Sequence, residues 1–184
     1  MAAAAAGYWF AGRNTAEMVA LPAGCHPPRG DLTPDGDKFV TLSDDGLEIT
    51  VSLLNSNGNT RAIKLDRPAR DLVAVDDGTL LVSHGESGQL ILVSLNGERP
   101  EELIKLDGFA GEICKGSPEQ VFVTDPENGR VYWLDLDAKR VAGTFPVEGR
   151  PSRMNWRAPE KQLEVFDNNG KPLAVLEIGK KVSG

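Results

Sequence analysis

Cysteine and histidine are scarce in this 184-residue chain, and each scarcity removes a class of chemistry. Two cysteines, Cys25 and Cys114, cannot build a disulfide-dense scaffold or a multi-cysteine zinc site. Two histidines, His26 and His84, support no serine–histidine–acid order from spacing, and no Gly-x-Ser-x-Gly elbow occurs. A glycine-rich phosphate loop and a dinucleotide fingerprint are also missing. No catalytic residue is therefore assigned, and an enzyme is the less favoured reading. Basic charge is in deficit: 20 Lys and Arg against 27 Asp and Glu give −7, so nucleic acid is not an expected partner. No stretch of twelve residues keeps a 3.6-residue apolar period without a glycine or proline interrupting it, so helix is nearly excluded. No run approaches the ~20 apolar residues that cross a bilayer as a helix. What is present is ordinary globular usage, 40% hydrophobic and 26% charged, in a chain that turns often through 20 glycines and 12 prolines.

Residues 1–14 open with MAAAAAGYWFAG, which is uncharged and apolar. This stretch reads either as a tail or extra edge strand, or as the end of an anchor with Tyr8 and Trp9 at a membrane interface. The second reading places the protein in the periplasm or another extracytoplasmic space, with the membrane as a partner only through that anchor. The first reading leaves it in the cytoplasm. Residues 15–184 form the expected domain.

Repetition is the strongest signal. Pro28-Arg29-Gly30-Asp31-Leu32 returns as Pro68-Ala69-Arg70-Asp71-Leu72, then as Phe109-Ala110-Gly111-Glu112-Ile113 and Pro151-Ser152-Arg153-Met154-Asn155. Turn pairs fall at matching places in each unit. The first set is Asp35-Gly36, Asp77-Gly78, Pro118-Glu119 and Pro159-Glu160; the second is Asp45-Gly46, Ser87-Gly88, Asn128-Gly129 and Asn169-Gly170. A third comprises Asn57-Gly58, Asn96-Gly97 and Asp137-Ala138. Between them lie strand-like runs at 39–42, 80–82, 121–124 and 163–166, then at 49–51, 90–93, 131–134 and 173–176. Four antiparallel strands per ~40-residue unit predict an all-β fold, a small β-propeller of four blades. A sandwich or barrel with coincidental spacing is the competing architecture.

The chain resembles bacterial propellers of the YVTN/NHL-like group. The resemblance rests on Pro28, the Thr33-Pro34-Asp35-Gly36 turn and Phe39-Val40 in the first unit, and on Pro68, Asp77-Gly78 and Leu81-Val82 in the second. It covers about residues 22–178, lacks the opening proline in unit three, and implies a fold rather than an activity. Unit four runs out after three strands, and residues 16–21 (AEMVAL) precede Pro28 much as 141–147 precede Pro151. The expected closure is a last blade of three C-terminal strands and one N-terminal strand. Tyr8-Trp9-Phe10 aligns with Tyr132-Trp133-Leu134 and competes for the same slot, which leaves open a larger propeller or pairing with a second copy.

Asp31, Asp71 and Glu112 share one position in units one to three, with Met154 in unit four. Equivalent positions lie at one depth around the axis, so three carboxylates are expected near the channel. They either pair with Arg70 and Arg153 or hold Ca²⁺ or another divalent ion. Likeness to gluconolactonase-type propellers would make Asn155 a further ligand and the protein a hydrolase or lactonase acting on a small sugar-like compound. His26 and His84 read as loop residues, and Cys25 and Cys114 as free, partly buried thiols. Charge is uneven: residues 31–137 hold twenty-one acids and nine bases, residues 138–184 nine bases and five acids. Arg150, Arg153, Trp156, Arg157 and Lys161, with Lys180 and Lys181 beyond, form an expected docking face. The first-choice function is a non-catalytic protein-interaction module, a subunit of a larger assembly or a self-associating one, with no cofactor.

Overall fold

Short runs of β-branched and leucine residues between turn-forming pairs have one economical solution, an up-and-down meander, and the computed structural model builds it four times. It describes residues 29–55, 59–97, 100–116 and 120–178. Sheet 1 contains β1 (Gly30–Leu32), β2 (Lys38–Leu42), β3 (Glu48–Leu53) and β4 (Thr60–Lys64). Sheet 2 contains β5 (Asp71–Ala74), β6 (Thr79–Ser83), β7 (Gln89–Ser94) and β8 (Glu101–Lys105). Sheet 3 contains β9 (Ile113–Lys115), β10 (Gln120–Asp125), β11 (Arg130–Asp135) and β12 (Arg140–Pro146). Sheet 4 contains, among the described residues, β13 (Arg153–Arg157), β14 (Gln162–Phe166) and β15 (Pro172–Glu177). All pairing is antiparallel between chain neighbours, and no helix occurs among the described residues.

The first strands of successive sheets touch, β1 on β5, β5 on β9 and β9 on β13. The sheets thus stand side by side about a common inner edge, as blades do. Among the described residues no comparable contact joins β13 back to β1. The strand expected from residues 16–21 lies outside the described residues, as do Tyr8, Trp9, Phe10, Cys25, His26, Pro28, Lys180 and Lys181 and the turns at Asn57-Gly58 and Pro118-Glu119.

Three apolar layers lie between the four sheets. Val40, Leu42, Ile49 and Val51 of sheet 1 meet Leu72, Ala74, Leu80 and Val82 of sheet 2. Leu81 and Leu90 meet Ile113, Val121, Val123, Tyr132 and Leu134 of sheet 3. Phe122 and Val131 meet Leu163 and Val165 of sheet 4. Strand composition follows from this stacking. β6 (TLLVS) and β10 (QVFVTD) are buried along nearly their whole length because both faces are covered. β3 (EITVSL) and β14 (QLEVF) alternate buried and accessible residues because one face is not.

The turns set the return path of the chain. Coming back from the outer strands, Leu106 N–H bonds the Gly88 carbonyl at 2.8 Å and Val147 N–H bonds that of Gly129 at 2.8 Å. Gly46 (φ 72°) and Gly88 (φ 65°) occupy the left-handed region, and a Cβ on either would sit 2.4 Å from a backbone oxygen, of Ala69 or Gly108. Two expected turns depart from this pattern. Gly78 does not adopt positive φ, and the Pro159-Glu160 turn places Lys161, at φ 52°, in the left-handed position.

Candidate functional site

The repeated carboxylates stand at the inner edge, and each reaches forward to the next sheet. Asp31 Oδ2 accepts the Ala74 N–H at 2.9 Å. Asp71 Oδ2 accepts the Ile113 N–H at 2.7 Å. Glu112 Oε1 accepts the Met154 N–H at 3.0 Å. Charge-assisted bonds from a carboxylate to a main-chain N–H are strong for their kind, and here they tie every described pair of adjacent inner strands. Lys115 Nζ adds a second tie between sheets 2 and 3, donating to the Ala74 carbonyl at 3.0 Å. Register differs slightly from the sequence alignment: Asp31 lies opposite Val40 and Asp71 opposite Ser83, one residue nearer its following turn glycine. The series stops at both ends. Asp31 Oδ1 accepts the N–H of Leu32 within its own strand at 2.8 Å, and Met154 has no carboxylate to offer.

Burial raises two of these acids. It pushes Asp71 up to about 6, against the bond from Ile113 N–H and the charges of Arg29 and Arg70. It pushes Glu112 up to about 7, helped by the nearby charge of Asp71 and opposed by the Met154 N–H and by Arg153 and Arg70. Around them lies a cavity of about 110 Å³ whose walls include Arg29, Arg70, Asp71, Glu112 and Thr124. That volume is below the ~300–1,000 Å³ of ordinary small-ligand pockets. Among the described residues no three His, Cys, Asp or Glu side chains form a group that could hold a metal ion. Asn155 donates its side-chain amide to Glu164 Oε2 at 2.9 Å. Cys114 is a free thiol that burial, followed by the charge of Glu112, pushes up to about 12, which keeps it protonated and unreactive at neutral pH.

The basic residues fall on sheet 4 and separate by strand period. Arg153, Asn155 and Arg157 share the exposed side of β13, while Met154 and Trp156 face sheet 3. Trp156 stacks on the fully buried Phe122 with ring centroids 5.6 Å apart, so its ring belongs to the packing between sheets 3 and 4. Arg157 pairs with Glu164 Oε1 at 2.8 Å. Arg150 and Lys161 are exposed on the loops flanking β13. The exposed side continues across the sheet as rows, Arg153–Phe166–Pro172, Asn155–Glu164–Val175 and Arg157–Gln162–Glu177.

Sequence reasoning missed a polar cluster built on the buried Asp125 and Tyr132 and reaching the exposed Asp107. Asp125, with no exposure, accepts from Asn128 Nδ2 at 2.8 Å and Arg130 Nε at 3.0 Å. Tyr132 donates its hydroxyl to Asp107 Oδ1 at 2.6 Å. Burial works against ionisation of Asp125, yet the Asn128 and Arg130 bonds hold it below the usual carboxylate value. Asp125 begins an Asp-Pro-Glu-Asn-Gly turn that looks like any solvated turn in sequence. His84 lies in a loop, as the sequence suggests, but is 4% exposed, with Nδ1–H donating to the Pro68 carbonyl at 3.0 Å.

Comparison with known proteins supplies the fold and stops there. No protein-family model matches the chain, and none of the curated proteins matches it. Solved structures similar to the chain include the following two. One is the β-propeller domain of Cps50 (Swd1) from Myceliophteria thermophila, at TM-score 0.64 and 12% identity, over 76% of this chain and 48% of that one. The other is virginiamycin B lyase from Staphylococcus aureus, at TM-score 0.60 and 13% identity, over 91% of this chain and 61% of that one. The chain therefore spans about half to three-fifths of the structures it matches. The four stacked meanders and these likenesses together make it a β-propeller.

Proposed function

We propose that this propeller, of the YVTN/NHL-like kind, is a non-catalytic module that binds another protein through the exposed side of sheet 4. The observation that carries the reading is the separation on β13. Its apolar residues Met154 and Trp156 are used in packing, and Arg153 and Arg157 are turned outward beside Phe166 and the 57%-exposed Val175. Arginine beside accessible apolar surface suits a docking face for an acidic partner. The inner-edge acids are already engaged by main-chain N–H groups, and the small cavity beside them does not favour a sugar-sized substrate. The test compares affinity purification from the source cells with the chain and with an Arg150→Glu, Arg153→Glu variant. A specific acidic partner, retained by the first, lost from the second and released by salt, is the expected result. A stoichiometric divalent ion in the purified protein, lost on Asp71→Ala and accompanied by hydrolytic turnover, would overturn it.

A further inference from the structure

One blade junction carries a phenol that its copy lacks. Units two and three run forty-one residues apart, from Pro68 to Phe109, and the strand register keeps that spacing. Gln89 pairs with Lys105 as Arg130 pairs with Pro146, and Ser83 pairs with Leu90 as Thr124 pairs with Val131. His84 therefore stands where unit three has Asp125, Ile91 where it has Tyr132, and Asp66 where it has Asp107. In unit three the Tyr132 hydroxyl donates to Asp107 Oδ1 at 2.6 Å and stands 3.3 Å from Asp125 Oδ2. The Arg130 guanidinium lies 4.8 Å from the centroid of the Tyr132 ring. Ile91 offers unit two neither ring nor hydroxyl.

A cavity lies at the copy, between sheets 1 and 2. It measures about 420 Å³, and its wall includes Leu65, Asp66, Arg67, His84, Ile91 and Pro100. That volume falls within the ~300–1,000 Å³ of small-ligand pockets. The buried His84 spends its Nδ1–H on the Pro68 carbonyl, so Nε2 of the neutral ring is a bare acceptor. Nε2 is itself buried and has no hydrogen-bond partner among the described residues. A buried polar atom left in that way costs stability until something donates to it. Asp66 supplies a second acceptor, its side chain as exposed as that of Asp107, 75% in both. Arg67 pairs with Asp66 at 3.4 Å and also bonds the side chain of Gln89, the residue at the position of Arg130. Two acceptors, a guanidinium and an apolar wall thus surround the place that a phenol takes one blade further on.

We infer that this cavity binds a phenol, free or as the tyrosine side chain of a partner, its ring against Leu65, Ile91 and Pro100 and its hydroxyl donating to His84 Nε2. The site is separate from the sheet 4 face, so either can fail without the other. Titration of the full chain with p-cresol tests it, read from the ¹⁵N signals of the histidine rings, with a His26→Gln variant to assign them. Toluene, N-acetyltyrosinamide and an Ile91→Tyr variant complete the set. Saturation by p-cresol below ~10 mM is expected, together with a moved Nε2 signal of His84. Toluene, without the hydroxyl, should bind about tenfold more weakly. Binding of N-acetyltyrosinamide identifies a tyrosine side chain as the source, and its exclusion while p-cresol binds identifies a free phenol. Ile91→Tyr brings its own phenol to the junction and should lose p-cresol binding. No saturation by ~10 mM, toluene bound as tightly as p-cresol, an unmoved His84 signal at saturation, or undiminished binding to Ile91→Tyr would overturn the inference. If Ile91→Tyr does not fold, the toluene comparison and the His84 signal of the unaltered chain decide.

Discussion

At the residue scale the distinctive feature is a carboxylate that spends its hydrogen-bonding capacity on the neighbouring blade. Asp71→Ala leaves the N–H of the buried Ile113 without its acceptor. The expected loss is about 1–3 kcal/mol in urea denaturation. Asp71→Asn and Glu112→Gln keep an acceptor oxygen and remove a buried charge, so they are expected to stabilise the protein at pH 8. The pH dependence follows from the same burial. Folded Asp71 and Glu112 bind protons up to about 6 and about 7, against ordinary values of 3.8 and 4.5. Between those limits the folded state holds more protons than the unfolded one, so stability rises as pH falls from 8 towards 5. Asp35, Asp45, Asp107, Asp125 and Glu164 are held low by their hydrogen bonds, and they reverse the trend in stronger acid. A melting-temperature profile should therefore peak near pH ~5. The Asp71→Asn, Glu112→Gln double variant should flatten the arm above the peak; an arm unchanged in that variant contradicts the assignment.

At the scale of single elements, turn chemistry and strand periodicity carry the argument. Gly46→Ala meets the Ala69 carbonyl at 2.4 Å in a left-handed backbone, while Gly36→Ala, at φ 74°, meets nothing within 4 Å. The first substitution is expected to cost more than the second by at least ~1 kcal/mol, read from paired denaturation midpoints. Trp156→Ala should destabilise the fold by about 2–4 kcal/mol through the lost stack on Phe122. A variant that keeps wild-type stability yet loses a partner would place the ring outside the packing instead. Strands were readable from the sequence here because each lies between turn-forming pairs and carries its own apolar period. β2, β6, β10 and β14 fall on the runs expected at 39–42, 80–82, 121–124 and 163–166. The side chains that cross between strands were not readable. Nothing in Asp-Pro-Glu-Asn-Gly separates the buried Asp125 from a solvated turn aspartate, and nothing in the basic run distinguishes Trp156, turned inward, from Arg157, turned outward.

For the whole molecule, repetition determines architecture and its interruption marks the ends. Where a sheet lies between two others, as β6 and β10 do, its strand is buried along nearly its whole length, whereas β3 and β14 of sheets 1 and 4 bury alternate residues. The three-fold recurrence of an acid at forty-residue intervals was visible in sequence, but its purpose was not. The sequence offers pairing with Arg70 and Arg153 or a divalent ion, and it does not show that one oxygen of each acid accepts from an N–H some forty residues further along the chain. Backbone donors carry no residue signature, so no pattern search finds them. The account stands on those three bonds linking blade to blade, and amide hydrogen exchange in the native state tests them directly. The N–H groups of Ala74, Ile113 and Met154 are predicted to exchange only with global unfolding, and each to lose protection when Asp31, Asp71 or Glu112, respectively, is changed to Ala. Rapid exchange of these three amides in the unaltered protein, or protection indifferent to the carboxylates, would contradict it.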